Sequence, residues 1–328
     1  MRFTVLASFF LALPLCAQVK LTQAAPDRIL VEIGGKPYTT FYLAPGGNKP
    51  YVWPLSTAAG LTVTRHFPME QFPGETNDHP HHRGLFFSHG DVSGINFWAT
   101  EPVSPTAQQG RPKGQPKGQP RLERGSMVLK KVLQLKSGAK SGTIKAVFDG
   151  LNAAGKPVMT ETRTITFYSD PKLRTIDYEI LIEPLEQLTF RDTKEGTFGI
   201  RLATSMTEEK GGGRMVNAEG KETEKNVWGK RSAWVDYCGP VDGQTVGVAI
   251  FDNPGNPRHP TYWHSRAYGL HAANIFGVRD FTGDKTQDGS LTVEPGKPLR
   301  FRYRVVIHPG DTAAAGIANL YKQYASRK

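Results

Sequence analysis

The sequence predicts an all-β protein: a large antiparallel sandwich of two sheets, closed by a short C-terminal helix. Three observations carry that expectation. Apolar and polar residues alternate along one segment after another, which is the period of a half-buried strand. The chain contains 35 glycines and 24 prolines, which supply turns and interrupt helices. Only the last element shows helical spacing, with Ile317, Leu320, Tyr321 and Tyr324 on one face. No internal repeat and no second core is evident, so residues 18–328 read as one domain.

The elements follow in order. Met1 to Ala17 has the form of a secretory signal: Arg2, an apolar run from Phe3 to Leu15 broken by Pro14, and a small residue at Ala17. The run is too short to span a membrane. Cys16 raises a lipoprotein alternative, but Leu15 before it is bulkier than lipid-attachment sites use. The expected product is therefore exported, periplasmic or extracellular, starting near Gln18. Arg28–Ile33 and Lys36–Leu43 flank Gly34-Gly35 as a hairpin. Residues 61–66 alternate as a strand. A basic Gly/Pro-rich insert occupies about 102–122, low in complexity and extended. Residues 126–135, 142–150 and 157–168 read as consecutive antiparallel strands, with a turn at 152–155. Residues 173–182 place Ile176, Tyr178, Ile180 and Ile182 on one face. Short strands follow at 198–203 and 246–251. In 299–308, Leu299, Phe301, Tyr303, Val305 and Ile307 oppose Arg300, Arg302 and Arg304. Asp311 or Thr312 caps the final helix.

Composition excludes several classes. The net charge is +11, but residues 111–145 hold ten of the bases against one acid, Glu123, leaving about +2 elsewhere. Aromatics do not interleave with those bases, so nucleic acid is not an expected partner. No later stretch reaches the length of a membrane-spanning helix. With the signal removed, one cysteine remains, Cys238, and no internal disulfide forms. Its surroundings read as a strand, so it is expected to pack as a small apolar residue. No nucleophile elbow, P-loop, dinucleotide-binding glycine fingerprint or zincin helix occurs.

The chemistry concentrates in histidine. Five of nine lie between 66 and 89, and three between 259 and 271. Two blocks far apart in sequence suggest a site assembled from two strand ends. In Asp78-His79-Pro80-His81-His82-Arg83-Gly84, an extended chain would turn His79 and His81 to one side and His82 to the other. That His-x-His spacing, with a carboxylate from elsewhere, suits a transition metal, and also suits a polar turn rigidified by Pro80. Arg83 is either a contact for an anion or sugar hydroxyl or the partner of Asp78. His89 and Asp91 follow the apolar run 85–87 at a strand rim, where Asp91 also suits a turn cap. Trp98 reads as core.

In the second block Tyr262, His264, Arg266 and Tyr268 alternate with Trp263, Ser265 and Ala267. A His/Arg/Tyr face is costly to bury unless it lines a wet cleft, which favours His264 and Arg266 over His271. Glu195, beside a glycine at a strand start, is a candidate base, with an ion pair to Lys194 or Arg201 as the alternative. Trp234 and Trp263 are candidates for stacking on sugar faces, with core as the alternative.

At Asp78–Gly84 with Ser88–Asp91, Lys194–Gly199, Gly229–Trp234 with Asp236-Tyr237, and His259–His264 through Ala273-Asn274, the chain resembles an exported bacterial family labelled "methane oxygenase PmoA". A membrane-embedded oxygenase subunit needs several spanning helices, and this sequence has none. The segment from Pro295 to Asp311 is similar to the late strand of galactose-mutarotase-like proteins. That resemblance implies a supersandwich with a carbohydrate-binding concave face. Mutarotases of that class use a histidine acid and a glutamate base, but their local motifs are missing here.

The expected function is therefore an exported carbohydrate-acting enzyme of hydrolase, lyase or epimerase type. His82, Glu195 and His264 would carry proton transfer or oxyanion contact. His79, His81, Arg83, His89, Asp91, Arg201, Trp234, Trp263 and Arg266 would bind substrate. No cofactor is required, although a divalent or transition metal is compatible. The alternatives are a non-catalytic carbohydrate-binding or cell-surface module, and a metal-dependent oxidase or oxygenase using His79 and His81.

Overall fold

A computed structural model of the chain describes residues 18–47, 49–99 and 122–326. The expected signal, 1–17, and the basic insert through residue 121 lie outside these residues. Five strands come first: β1 (Val19–Ala25), β2 (Arg28–Ile33), β3 (Lys36–Tyr42), β4 (Tyr51–Trp53) and β5 (Leu85–His89). Two short strands, β6 (Ile95–Asn96) and β7 (Glu123–Arg124), precede a long meander. Its members are β8 (Ser126–Lys136), β9 (Ser141–Leu151), β10 (Pro157–Tyr168) and β11 (Arg174–Pro184). Next come β12 (Leu188–Phe190), β13 (Gly196–Arg201), β14 (Arg214–Asn217) and the one-turn helix α1 (Glu224–Val227). The rest is β15 (Trp234–Val241), β16 (Gln244–Asp252), β17 (Tyr262–Trp263), β18 (Leu270–Asn274), helix α2 (Val278–Thr282), β19 (Leu291–Val293), β20 (Leu299–Pro309) and helix α3 (Ile317–Ala325).

The strands form two eight-stranded sheets, ordered β1-β2-β3-β4-β5-β13-β18-β17 and β14-β15-β16-β20-β11-β10-β9-β8. Their internal pairings are antiparallel, as the period-2 patterning requires. The β2–β3 hairpin turns at Gly34 and Gly35, whose φ values of 63° and 75° favour glycine. Inward faces of both sheets feed one core. Ile176, Tyr178, Ile180 and Ile182 of β11 meet Phe301, Tyr303 and Val305 of β20 there, together with Phe87, Phe198 and Ile200 of the first sheet. Each such side chain contributes about 1.5–3 kcal/mol by leaving water.

The basic stripe of β20 is matched by its neighbour. Arg304 stands opposite Asp177 in register and bonds both carboxylate oxygens, at 2.5 and 2.6 Å. Arg300 reaches Glu179 at 3.2 Å. A second guanidinium lies inside the sandwich. Arg163 of β10, 1% exposed, pairs with Glu161 and donates to Tyr178 and to the carbonyls of Pro50 and Phe87. It thereby pins the second sheet to backbone at and beside two strands of the first.

Two expectations change. Residues 61–66 form only isolated bridges, Thr62 with Ser56 and Thr64 with Leu202, because the segment pairs only with residues 55–57 and the end of β13 and continues no further along a strand. The last helix starts at Ile317 instead of near Asp311, with Gly316 at φ 65° before it. Asp311 caps a preceding turn through the Ala314 amide.

The centre of the first sheet is covered on both sides. Every residue of β5, β13 and β18 is buried. One side meets the sandwich core. The outer side carries a separate aromatic layer of Tyr51, Trp53, Phe86, Trp98, Leu270 and Ala272, against which Tyr42, Met69 and Tyr268 pack. The histidine-rich turn docks on this layer.

Candidate functional site

The 78–84 segment is a tight turn, not extended chain. His79 takes φ 44° and Gly84 φ 51°, and a Cβ on Gly84 would overlap the Val52 carbonyl. The turn folds the three imidazoles together. His79 stacks on His82 with centroids 4.9 Å apart, and His81 stands edge-on to His82 at 4.4 Å. The expectation that His79 and His81 face away from His82 therefore fails, because alternation of faces holds only for extended backbone.

Asp78 anchors the turn. Arg65 Nη1 donates to its Oδ1 at 2.8 Å, and Arg201 Nη2 donates to Oδ1 and Oδ2 at 2.8 and 3.0 Å. His79 Nδ1 bonds the same carboxylate. Partial burial opposes ionisation, but the bonds from His79, Arg201, Thr76 and Arg65 outweigh it and hold the carboxyl well below its ordinary range. Burial, reinforced by Arg201, pulls Arg65 down to about 10.

Tyr268 joins the two histidine blocks. Its ring stacks on His79 at 5.2 Å, while the Arg201 and Arg266 guanidiniums lie 4.6 and 5.5 Å from its centroid. Arg266 pairs with Glu224 at 2.9 Å and also lies over Trp228. Trp228 Nε1 donates to His264 Nδ1 at 2.9 Å. An indole N–H can only donate, so Nδ1 is the acceptor and the neutral His264 ring carries its proton on Nε2. His264 is 2% exposed. Burial, then Arg266, Lys194 and His79, pull its pKa down to about 3.

The neighbouring rings behave alike. Burial, then Lys49, His79, Arg65 and Arg201, take His81 down to about 2. Burial, then His81 and Arg201, take His82 well below its ordinary value. Held this low, the rings favour the oxyanion-contact role over that of a histidine acid. A neutral Nε2–H instead offers a fixed hydrogen-bond donor to developing negative charge. His82 Nδ1 lies a long 3.5 Å from Arg201 Nη1, and its buried Nε2 has no partner among the described residues.

Glu195 sits at the start of β13, its side chain 43% exposed and 3.6 Å from Lys194. The Lys194 alternative is thus the pairing present; Arg201 is taken by Asp78. Glu195 does not bond His82 or His264: it lies beside Gly90 at the start of β13, whereas His82 lies by Arg201 at its other end. The Tyr268 hydroxyl is pushed up to about 12 by burial and by Glu195 and Asp78, against Arg201 and Arg266.

A cavity of about 430 Å³ opens beside the turn, lined by Asp78, Arg201, Thr207, Lys210, Tyr268 and adjacent residues. Of the expected ligand contacts, Arg201 lines it. His79 and Arg266 stand beside it, touching its lining residues Asp78 and Tyr268, and His81 lies behind His79. Arg83 lies 5.8 Å from the Tyr51 ring, outside its lining. None of His82, Glu195 and His264 lines it.

Four expected contacts belong elsewhere. Trp263 is fully buried in the sandwich core and stacks on His271, since β17 turns it inward and His264 outward. His89 also points inward, between Phe190 and Phe276, with Nε2 2.9 Å from the Arg191 carbonyl. Asp91 accepts the Gly94 amide at 2.8 Å as a turn cap. Trp234 lies on the outer face of the second sheet, packed with Ile317 and Tyr324. The metal reading of the turn also weakens: among the described residues, Asp78, His79 and His81 do not converge as three ligand atoms.

Sequence reasoning missed Arg65, Trp228 as a partner of His264, and Tyr268 as the connector. Tyr268 did fall on the His264–Arg266 face; Arg65 gave no local sign, because its carboxylate is 13 residues away.

Comparison with known proteins gives one family. The "family of unknown function (DUF6807)" matches residues 28–322. It does not carry the methane-oxygenase label expected from the motifs. No curated protein matches. Among solved structures, a galactose mutarotase-like protein from Clostridium acetobutylicum is 12% identical, with 90% of this chain and 99% of that one covered and a TM-score of 0.43. An α-galactosidase from Lactobacillus brevis is 10% identical, with 93% of this chain and 42% of that one covered and a TM-score of 0.40. The GH36 α-galactosidase AgaB from Geobacillus stearothermophilus is 11% identical, at 96% and 43% coverage and a TM-score of 0.40. The chain spans less than half the length of either α-galactosidase. The two-sheet sandwich rests on the strand pairing above, not on these likenesses.

Proposed function

The chain belongs to the DUF6807 family, and we propose that it is an exported protein acting on carbohydrate at the outer face of its first sheet. The observation that carries this reading is the 430 Å³ cavity beside the histidine turn. Its wall combines an aromatic ring, Tyr268, with polar groups that their own partners hold still, Asp78 and Arg201. Sugar recognition uses that combination: fixed donors and acceptors for hydroxyls beside an apolar face. Export rests on the Arg2, Phe3–Leu15 and Ala17 pattern.

As an enzyme the site suits proton abstraction better than acid-assisted hydrolysis. Glu195 would take a proton from a carbon next to a carbonyl, and the electron pair would move onto the carbonyl oxygen. The Nε2–H of His264 would donate to that oxygen. Epimerisation or elimination follows from the same intermediate. A binding-only module is the second reading, favoured by the neutral imidazoles and by a cavity that the three candidate catalytic residues do not line.

A screen of neutral and acidic oligosaccharides separates the two, with product detection run beside binding. Turnover that is lost in Glu195→Gln and His264→Ala, with folding retained, supports the enzyme. Saturable binding without product supports the module. Absence of any carbohydrate binding sinks both.

A further inference from the structure

A second polar cluster lies on the outer face of the other sheet, apart from the histidine turn. Asp236 and Cys238 are two apart on β15, and His308 is on β20, with β16 between them. In register, Cys238 stands opposite Gly247, and Gly247 opposite His308. Three adjacent strands thus present cysteine, no side chain, and histidine in one row, with the outer strands about 9–10 Å apart. A glycine within a strand often marks a place where something approaches the backbone closely. A Cβ on Gly247 would overlap the His308 ring and stand 2.8 Å from Cys238 Sγ.

Asp236 bridges the row. Its Oδ1 lies 3.1 Å from His308 Nε2, and its Oδ2 lies 3.2 Å from Cys238 Sγ. One donor atom from each of the three residues falls within 4.8 Å of the others. Tetrahedral zinc, with bonds of about 2.0–2.3 Å, sets donor atoms roughly 3.3–3.5 Å apart. Asp236 now turns a different oxygen to each of the other two residues, so an ion enters once the carboxylate and the Cys238 side chain re-aim at a common point. His308 Nδ1 faces the Pro309 carbonyl at 3.2 Å, which leaves Nε2 for the cluster. Ligating histidines ordinarily have such a second partner. Asp236 and His308 are sealed, whereas Cys238 lines a cavity of about 460 Å³ together with Trp234, Asp311 and Thr312. Glycine at 247 lets the His308 ring pass over β16 and reach Asp236 and the sulfur of Cys238.

We propose that Asp236, Cys238 and His308 form a transition-metal site, taking Zn²⁺ or a similar borderline-soft divalent ion, with its remaining position open to this cavity. On binding, the ion displaces the thiol proton of Cys238 and the proton between His308 Nε2 and Asp236, and both protons leave to solvent. A dication replaces two protons, so the buried site gains no net charge.

Cobalt titration of the chelator-treated full chain is the test. The expected result is stoichiometric binding with thiolate-to-cobalt charge transfer and tetrahedral d–d absorption, competed by zinc, and a raised Tm with either ion. Cys238→Ser should lose the charge-transfer band. Asp236→Asn, nearly isosteric, should weaken affinity by about 10-fold or more. Wild-type protein that binds neither ion at stoichiometric levels overturns the proposal whatever the variants do. So does a charge-transfer band that survives in Cys238→Ser.

Discussion

Lowering the pH from about 7 to about 5 should destabilise this protein through its histidines. His82, His89, His264 and His271 are 1%, 2%, 2% and 0% exposed. Burial pulls His89 and His271 down to about 4, His264 to about 3, and His82 well below the ordinary value. In the unfolded chain the same rings titrate near 6.5. Between about pH 6.5 and 4 the unfolded state therefore binds more protons, and stability falls as pH falls. Near pH 5 the difference approaches one proton per ring. At about 1.36 kcal/mol per proton and pH unit, four rings give a slope of about 5 kcal/mol per unit. A native stability of about 5–15 kcal/mol is then exhausted within a few pH units of neutrality. Asp91 and Asp192, raised by burial, act in the opposite sense as the pH nears their own range. His308, raised by Asp236 against the pull of burial, contributes stability that is lost on the alkaline side instead. Denaturant melts across this range, with fluorescence and circular dichroism, measure the slope. His271→Gln should reduce it by one proton, about 1.4 kcal/mol per unit. Stability constant within about 1 kcal/mol from pH 7 to 5 would refute the reasoning.

Arg163→Leu leaves Glu161 buried without its cation and should cost about 3–5 kcal/mol in denaturant melts. The double change with Glu161→Leu should recover much of that loss, as a double-mutant cycle would read. Asp78→Ala strips the carboxylate from Arg65 and Arg201, which are 0% and 1% exposed. Because the Asp78 side chain is itself 36% exposed, the full buried-pair cost is discounted to about 2–3 kcal/mol. The depressed carboxyl stabilises the fold above its ordinary pKa and loses that contribution as pH falls, so Asp78→Ala should also flatten the most acidic part of the stability curve. Carbohydrate binding should fall in the same variant, measured on protein shown to be folded.

Strand patterning was legible because alternation depends only on which residues leave water. The meander from β8 to β11 and the five inward residues of β20 lie where period-2 reading places them. The stretch at 61–66 carries the same alternation, yet it pairs only at isolated bridges beside Ser56 and the end of β13. Local pattern reports burial, not the ladder a segment joins.

The sequence by itself determined that histidines cluster in two blocks, that Glu195 precedes a strand, and that residues 262–268 alternate. It did not determine who meets whom. Trp263 and His264 are adjacent in the chain, but one fills the core and the other faces the outer layer beside Trp228. Asp78 finds Arg201 more than a hundred residues away. Cys238, which reads as a small packed residue, and His308, which reads as isolated, face each other across Gly247 because three strands align in register. Those encounters depend on sheet order and on where each turn reverses the chain. Burial then decides protonation, holding neutral the very imidazoles that their abundance had marked as acids.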